Sequence, residues 1–75
     1  MSREFRVTIA SPPDREKLVA EIFFGDEQVA EIHQESDELQ IEIYMHSSGK
    51  PWMLPYVDFM KAMSKARQRL VGGDL

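Results

Sequence analysis

Apolar and polar residues alternate over residues 4–10, with Phe5, Val7 and Ile9 on one side and Glu4, Arg6 and Thr8 on the other. A period of two predicts a half-buried β-strand. Ser11-Pro12-Pro13-Asp14 ends it, because proline removes ladder donors. The same alternation returns over residues 38–45, where Leu39, Ile41, Ile43 and Met45 interleave with Glu38, Gln40, Glu42 and Tyr44. This is the clearest strand, and Gln34-Glu35-Ser36-Asp37 supplies the turn before it. The period then changes. Tyr56, Phe59, Met60, Met63, Ala66 and Leu70 recur at helical spacing over residues 56–71. Pro55 suits a first helical position, Lys61, Lys65, Arg67 and Arg69 suit the far face and the last turns, and Gly72-Gly73 stops the helix.

Residues 15–24 admit two readings. As a helix, the segment would be capped by Ser11 and would bury Leu18, Val19, Ile22 and Phe23, with Gly25 as its stop. As a strand, it would form one arm of a hairpin: Val19-Ala20-Glu21-Ile22 recurs ten residues later as Val29-Ala30-Glu31-Ile32, and Gly25-Asp26 between them is a two-residue turn signal. The paired aromatics Phe23 and Phe24 favour strand, so the hairpin is preferred. A two-residue loop pairs Phe24 with Glu27 and sets Val29 on the face of Ile22. A three-residue loop pairs Phe24 with Gln28 and sets Glu31 opposite Glu21, which opposes two carboxylates. The shorter loop is therefore expected.

Together these elements predict one α+β domain over residues 1–75, with 72–75 a short tail. It is a four-stranded antiparallel β-meander followed by a C-terminal helix on one face (ββββα), with βαββα as the alternative. The Phe59/Met63/Leu70 stripe is expected to lie on the Leu39/Ile41/Ile43 face, leaving no hollow for chemistry.

Residues 18–24 (LVAEIFF), Glu27, Val29, Ala30 and the helical Phe59, Ala62, Ala66, Arg67, Arg69 and Leu70 resemble a group of short bacterial proteins without an assigned function. The likeness spans most of the chain and implies a β-meander with a terminal helix. Its matching residues are core and turn positions, so it implies no catalytic residue.

With 43% hydrophobic and 29% charged residues among 75, the composition is that of a folded domain rather than a disordered one. A domain of this size has a thin stability margin, to which an oligomer or partner would add. There is no cysteine, which removes disulfide and thiol chemistry. No apolar run approaches the roughly 18 residues of a membrane helix, and the first residues do not form a signal peptide. The expectation is a cytoplasmic protein away from membranes. The net charge of −4 is uneven: residues 1–50 hold five Lys/Arg against eleven Asp/Glu, and residues 51–75 hold four against two. The acidic part argues against nucleic acid, which needs phosphate neutralisation.

Each cluster with chemical potential has a plainer account. His33 and His46 stand thirteen residues apart and lack the three or four converging ligands of a zinc site. His46 beside Ser47 and Ser48 lacks the orienting group and oxyanion hole of a nucleophilic site. Glu21, Glu31, Glu38 and Glu42 fit a polar sheet face, or an acidic dock for a basic partner. Trp52, Met53 and Tyr56 are residue types of interface hot spots, although Trp52 also suits a lid over a small core. Gly72-Gly73 resembles the tail of ubiquitin-like modifiers, but a helix stop accounts for it. No catalytic residue, cofactor, metal or small-molecule substrate is indicated.

The sequence thus points to a small acidic, non-enzymatic protein–protein interaction module, with a homodimer as one form. Trp52, Tyr56, Phe23, Glu21, Glu31 and Glu42 are the candidate partner-binding residues. The alternative is an inhibitor or immunity-type protein that masks a basic partner or a nucleic-acid-binding site.

Overall fold

A computed structural model describes residues 3–36 and 38–72. Four strands, β1 (Phe5–Ala10), β2 (Val19–Phe24), β3 (Glu27–His33) and β4 (Gln40–Ile43), form one antiparallel sheet in the order β1-β2-β3-β4. The helix α1 (Tyr56–Leu70) follows. The chain is therefore the expected ββββα meander, and residues 19–24 are strand rather than helix. The proposed tail falls partly at residues 73–75, outside the described residues.

The β2–β3 turn uses the two-residue loop. Phe24 pairs with Glu27, and Gly25 adopts φ +64°, open to glycine without strain. The turn packs closely, since a Cβ on Gly25 would stand 2.7 Å from the Arg3 guanidinium. Between Ile22 and Phe23 the register shifts by one residue. This bulge lets both Val29 and Ala30 enter the core. It also sets Glu31 opposite Glu21, the pairing expected to be avoided. The expected turn of the shorter loop and the carboxylate pairing of the longer one thus coexist, because a bulge changes register partway along the hairpin.

Helix α1 departs from its expected position. Its buried residues Ala62, Ala66 and Leu70 join Val7, Ala20, Ile22 and Phe24 in the core, and the helix lies over β1 and β2. Phe5 stacks between Phe24 and Phe59, with ring centroids 4.6 and 5.6 Å away. The Leu39/Ile41/Ile43 face is not the helix's seat. Ile43 is 62% exposed and Ile41 is also exposed, while Leu39 is half-buried. Small Ala62 and Ala66 let the helix approach the larger β1 and β2 side chains. The sheet is wider than one helix: four strands at about 4.8 Å spacing exceed the roughly 10 Å that a helix covers.

Pro55 precedes the helix at its N-cap instead of occupying its first turn, and its carbonyl accepts from the Phe59 N–H. Val71 donates to the Arg67 carbonyl, and Gly72, at φ +75°, turns the chain away.

Candidate interaction surface

On the sheet face away from the helix, Glu21, Glu31 and Glu42 sit side by side across β2, β3 and β4. Three adjacent carboxylates would repel. The connection between β1 and β2 resolves this by crossing that face. Arg15 Nε donates to Glu31 Oε2 at 3.0 Å and its Nη2 donates to Glu42 Oε1 at 3.0 Å. Tyr44 donates its hydroxyl to Glu31 Oε1 at 3.0 Å. Burial pushes the Tyr44 phenol up to about 12, helped by the Glu31 charge. Desolvation pulls the Arg15 guanidinium down, but Glu31 and Glu42 outweigh it and its pKa is raised.

This face is consequently not the open polar surface that alternation implied. Glu31 is only 7% exposed, His33 is also buried, and Val19 is wholly enclosed. Glu31 therefore has both carboxylate oxygens engaged within the chain, and Glu42 is already paired, although its side chain remains accessible. Glu38 lies outside the row, before β4. Phe23 is half-buried with Arg6 over its ring at 4.4 Å.

Trp52 proves to be a clasp. It packs against the core, donates its indole N–H to the Tyr44 carbonyl at 3.0 Å, and meets the His46 ring edge-on at 4.4 Å. His46 Nε2 lies 3.5 Å from Glu27. Hydrogen bonding from Ser47 chiefly holds the Glu27 carboxyl below its usual range, against desolvation and with help from His46 and Arg3. Tyr56 is 75% exposed and stands apart from Trp52 in its environment. The two histidines occupy separate surroundings, and among the described residues no group of three His, Cys, Asp or Glu could hold a metal ion. No helix among them is long and apolar enough to cross a membrane.

The two flanks of the helix differ. Beside β1, a groove of about 450 Å³ is lined by Arg3, Glu4, Asp58, Lys61 and Lys65 along with apolar residues. Beside β4, a groove of about 390 Å³ is lined by Ile32, Leu39, Ile41, Met60, Met63 and Arg67, and its walls are mainly apolar. Ile43 lies outside this lining but on the same sheet face, because Ala30–Ile43 and Ile32–Ile41 are facing pairs on the core side.

The β4 rim adds backbone chemistry. The Tyr44 N–H donates to the Val29 carbonyl at 2.8 Å, so alternate residues Gln40, Glu42 and Tyr44 turn their backbone groups toward β3. Ile41 and Ile43 turn theirs outward. Among the described residues, no side chain hydrogen-bonds to them. The apolar β4 residues were visible in the sequence as a strand face. Their exposure was not, since it depends on where the helix rests.

No protein-family model, curated protein or solved structure matches the chain, so function is read from the geometry.

Proposed function

We propose that this chain is a small, non-enzymatic protein–protein interaction module that engages its partner through the β4 half of the molecule. The observation that carries this reading is a coincidence of two unmet needs in one place. Among the described residues no hydrogen bond meets the outward backbone groups of Ile41 and Ile43, and the same residues expose their side chains, Ile41 as part of the Met60/Met63 groove. Backbone edge pairing supplies affinity, and side-chain pockets supply selectivity, in strand-addition recognition. Met-lined walls adapt to the side chains they meet.

The acidic row supports docking of a basic partner less well, because Arg15 neutralises two of its members internally. The test compares three baits immobilised in parallel: wild type, Ile43→Lys, and Lys61→Ala as a control on the opposite flank. Circular dichroism establishes that each is folded. A protein retained by wild type and by Lys61→Ala, but lost with Ile43→Lys, supports the reading. Equal retention by all three places the contact elsewhere and removes it.

A further inference from the structure

We infer that the occupant of the β4 rim is a second copy of this chain, paired antiparallel about a two-fold axis through Ile41 to make a continuous eight-stranded sheet. This rests on the interaction-module reading above and names its partner. Three observations lead to it.

The first is the difference between the rims. Gly25 donates to the Glu4 carbonyl at 3.0 Å, so Glu4 and its alternates face β2 and Val7 faces outward. Arg69, from the last turn of α1, donates to that outward Val7 carbonyl at 3.0 Å. One rim thus has an outward carbonyl taken by the chain's own arginine, whereas among the described residues no side chain reaches the outward groups of Ile41 and Ile43 on the other. A sheet with a single open rim closes as a two-fold dimer, whereas two open rims would allow head-to-tail growth.

The second is charge. Natural edge strands resist self-pairing with lysine, proline, bulges or inward charges. Strand β4 reads Gln-Ile-Glu-Ile, and its one charge is already paired with Arg15. Register follows from the same residues. An axis at Glu42 would oppose Glu42 to its copy. An axis at Ile43 would draw in His46, beyond the point where Trp52 clasps the Tyr44 carbonyl. With the axis at Ile41, Gln40 faces Glu42 of the copy, Leu39 faces Ile43, and every outward backbone group meets another.

The third is area. The chain exposes 5540 Å² at a mass of 8.7 kDa, against about 4,700 Å² for a folded monomer of that mass. The surplus of about 800 Å² equals one side of a standard interface.

Sedimentation equilibrium from low micromolar concentration to the solubility limit tests the inference, together with single-cysteine scanning that the cysteine-free chain permits. Wild type is expected to dimerise, and Ile43→Lys to raise the dissociation constant at least about tenfold with an unchanged circular dichroism spectrum. Under mild oxidation Ile41→Cys should link to itself. Ile43→Cys should link to Leu39→Cys in a mixture but not to itself. The cysteine variants keep an apolar side chain, so they report even if the lysine variant is poorly folded.

A monomer at every concentration overturns the dimer, and the bait comparison then decides the module reading separately. A dimer that survives Ile43→Lys in folded form, or self-linking at Ile43 instead of Ile41, overturns the proposed interface. Bait retention that responds to Ile43→Lys while wild type stays monomeric leaves a foreign partner in place of the second copy.

Discussion

The two rims of this sheet are built from similar residues and treated in opposite ways. Strand β1 alternates Phe5, Val7 and Ile9 with polar residues, and β4 alternates Ile41 and Ile43 with Gln40 and Glu42. Over β1 the helix settles, Phe59 meets Phe5, and Arg69 reaches the Val7 carbonyl. Over β4 the helix does not settle, and Ile41 and Ile43 stand exposed. An amphipathic strand therefore specifies a face that needs covering without specifying what covers it. One helix covers about half of a four-stranded sheet, and the small residues Ala62 and Ala66 decide which half, because they admit close approach to the bulkier β1 and β2.

The largest test of this contrast sets equivalent truncations in the two halves against each other. Ile22→Ala, at a fully buried position beneath the helix, should destabilise by about 3 kcal/mol in urea denaturation. Ile43→Ala, in solution dilute enough to hold the monomer, should stay within about 0.5 kcal/mol. Similar losses at both would mean that the β4 half is packed as tightly as the β1 half.

Arg69→Ala sharpens the comparison at the rim itself. Losing the bond to Val7 should cost about 1 kcal/mol. Its more telling effect is on assembly: with both rims open, β4 of one copy can reach β1 of the next, so light scattering should report species larger than a dimer. A variant that remains strictly dimeric would show that the helix body, and not Arg69, shields β1.

Much of this was legible along the chain. The strand at residues 4–10, the two-residue turn at Gly25-Asp26, the strand around Ile41 and the helix from Tyr56 all follow from period and turn chemistry. What stayed hidden depended on contacts between distant residues. The bulge at Ile22/Phe23 has no local signature, since Val29 and Ala30 each look like ordinary strand residues. Arg15 gave no sign of crossing the sheet to bridge Glu31 and Glu42, because 16 and 27 residues separate the partners. For the same reason Glu31 read as a surface acid and proved to be buried. Trp52 suited both a lid and a partner anchor, and its packing against the core and its bond to the Tyr44 carbonyl, eight residues away, were not legible from its neighbours in the chain.

The network beneath Arg15 also separates the halves, since it ties the outer side of β4 while its inner side stays bare. Tyr44→Phe should remove one hydrogen bond to Glu31 and cost about 1 kcal/mol. The wild-type phenol is raised from its usual value of about 10 to about 12. Its contribution is thus fully present below the unfolded value and is lost as pH rises through the folded one. Alkaline denaturation midpoints should show this loss in wild type and not in Tyr44→Phe. Parallel curves would detach Tyr44 from the network.

The smallest expected effect concerns how the chain leaving β4 is tethered. Glu27 accepts from the Ser47 N–H at 3.3 Å and stands 3.5 Å from His46. Ser47 chiefly holds its carboxyl low. For a carboxyl lowered in the folded state, the stabilisation is present above its unfolded value and disappears as pH falls through the folded one. Melting temperature should therefore fall less steeply on the acid side in Glu27→Gln than in wild type, with the difference confined to pH at and below the ordinary carboxylate range. Amide exchange at Ser47 should quicken in the variant, while that of Ile22, buried under the helix and paired with Ala30, should not. Equal quickening at both residues would mean that Glu27 supports the whole sheet, and the β4 end would then lose its claim to be held separately from the half that the helix covers.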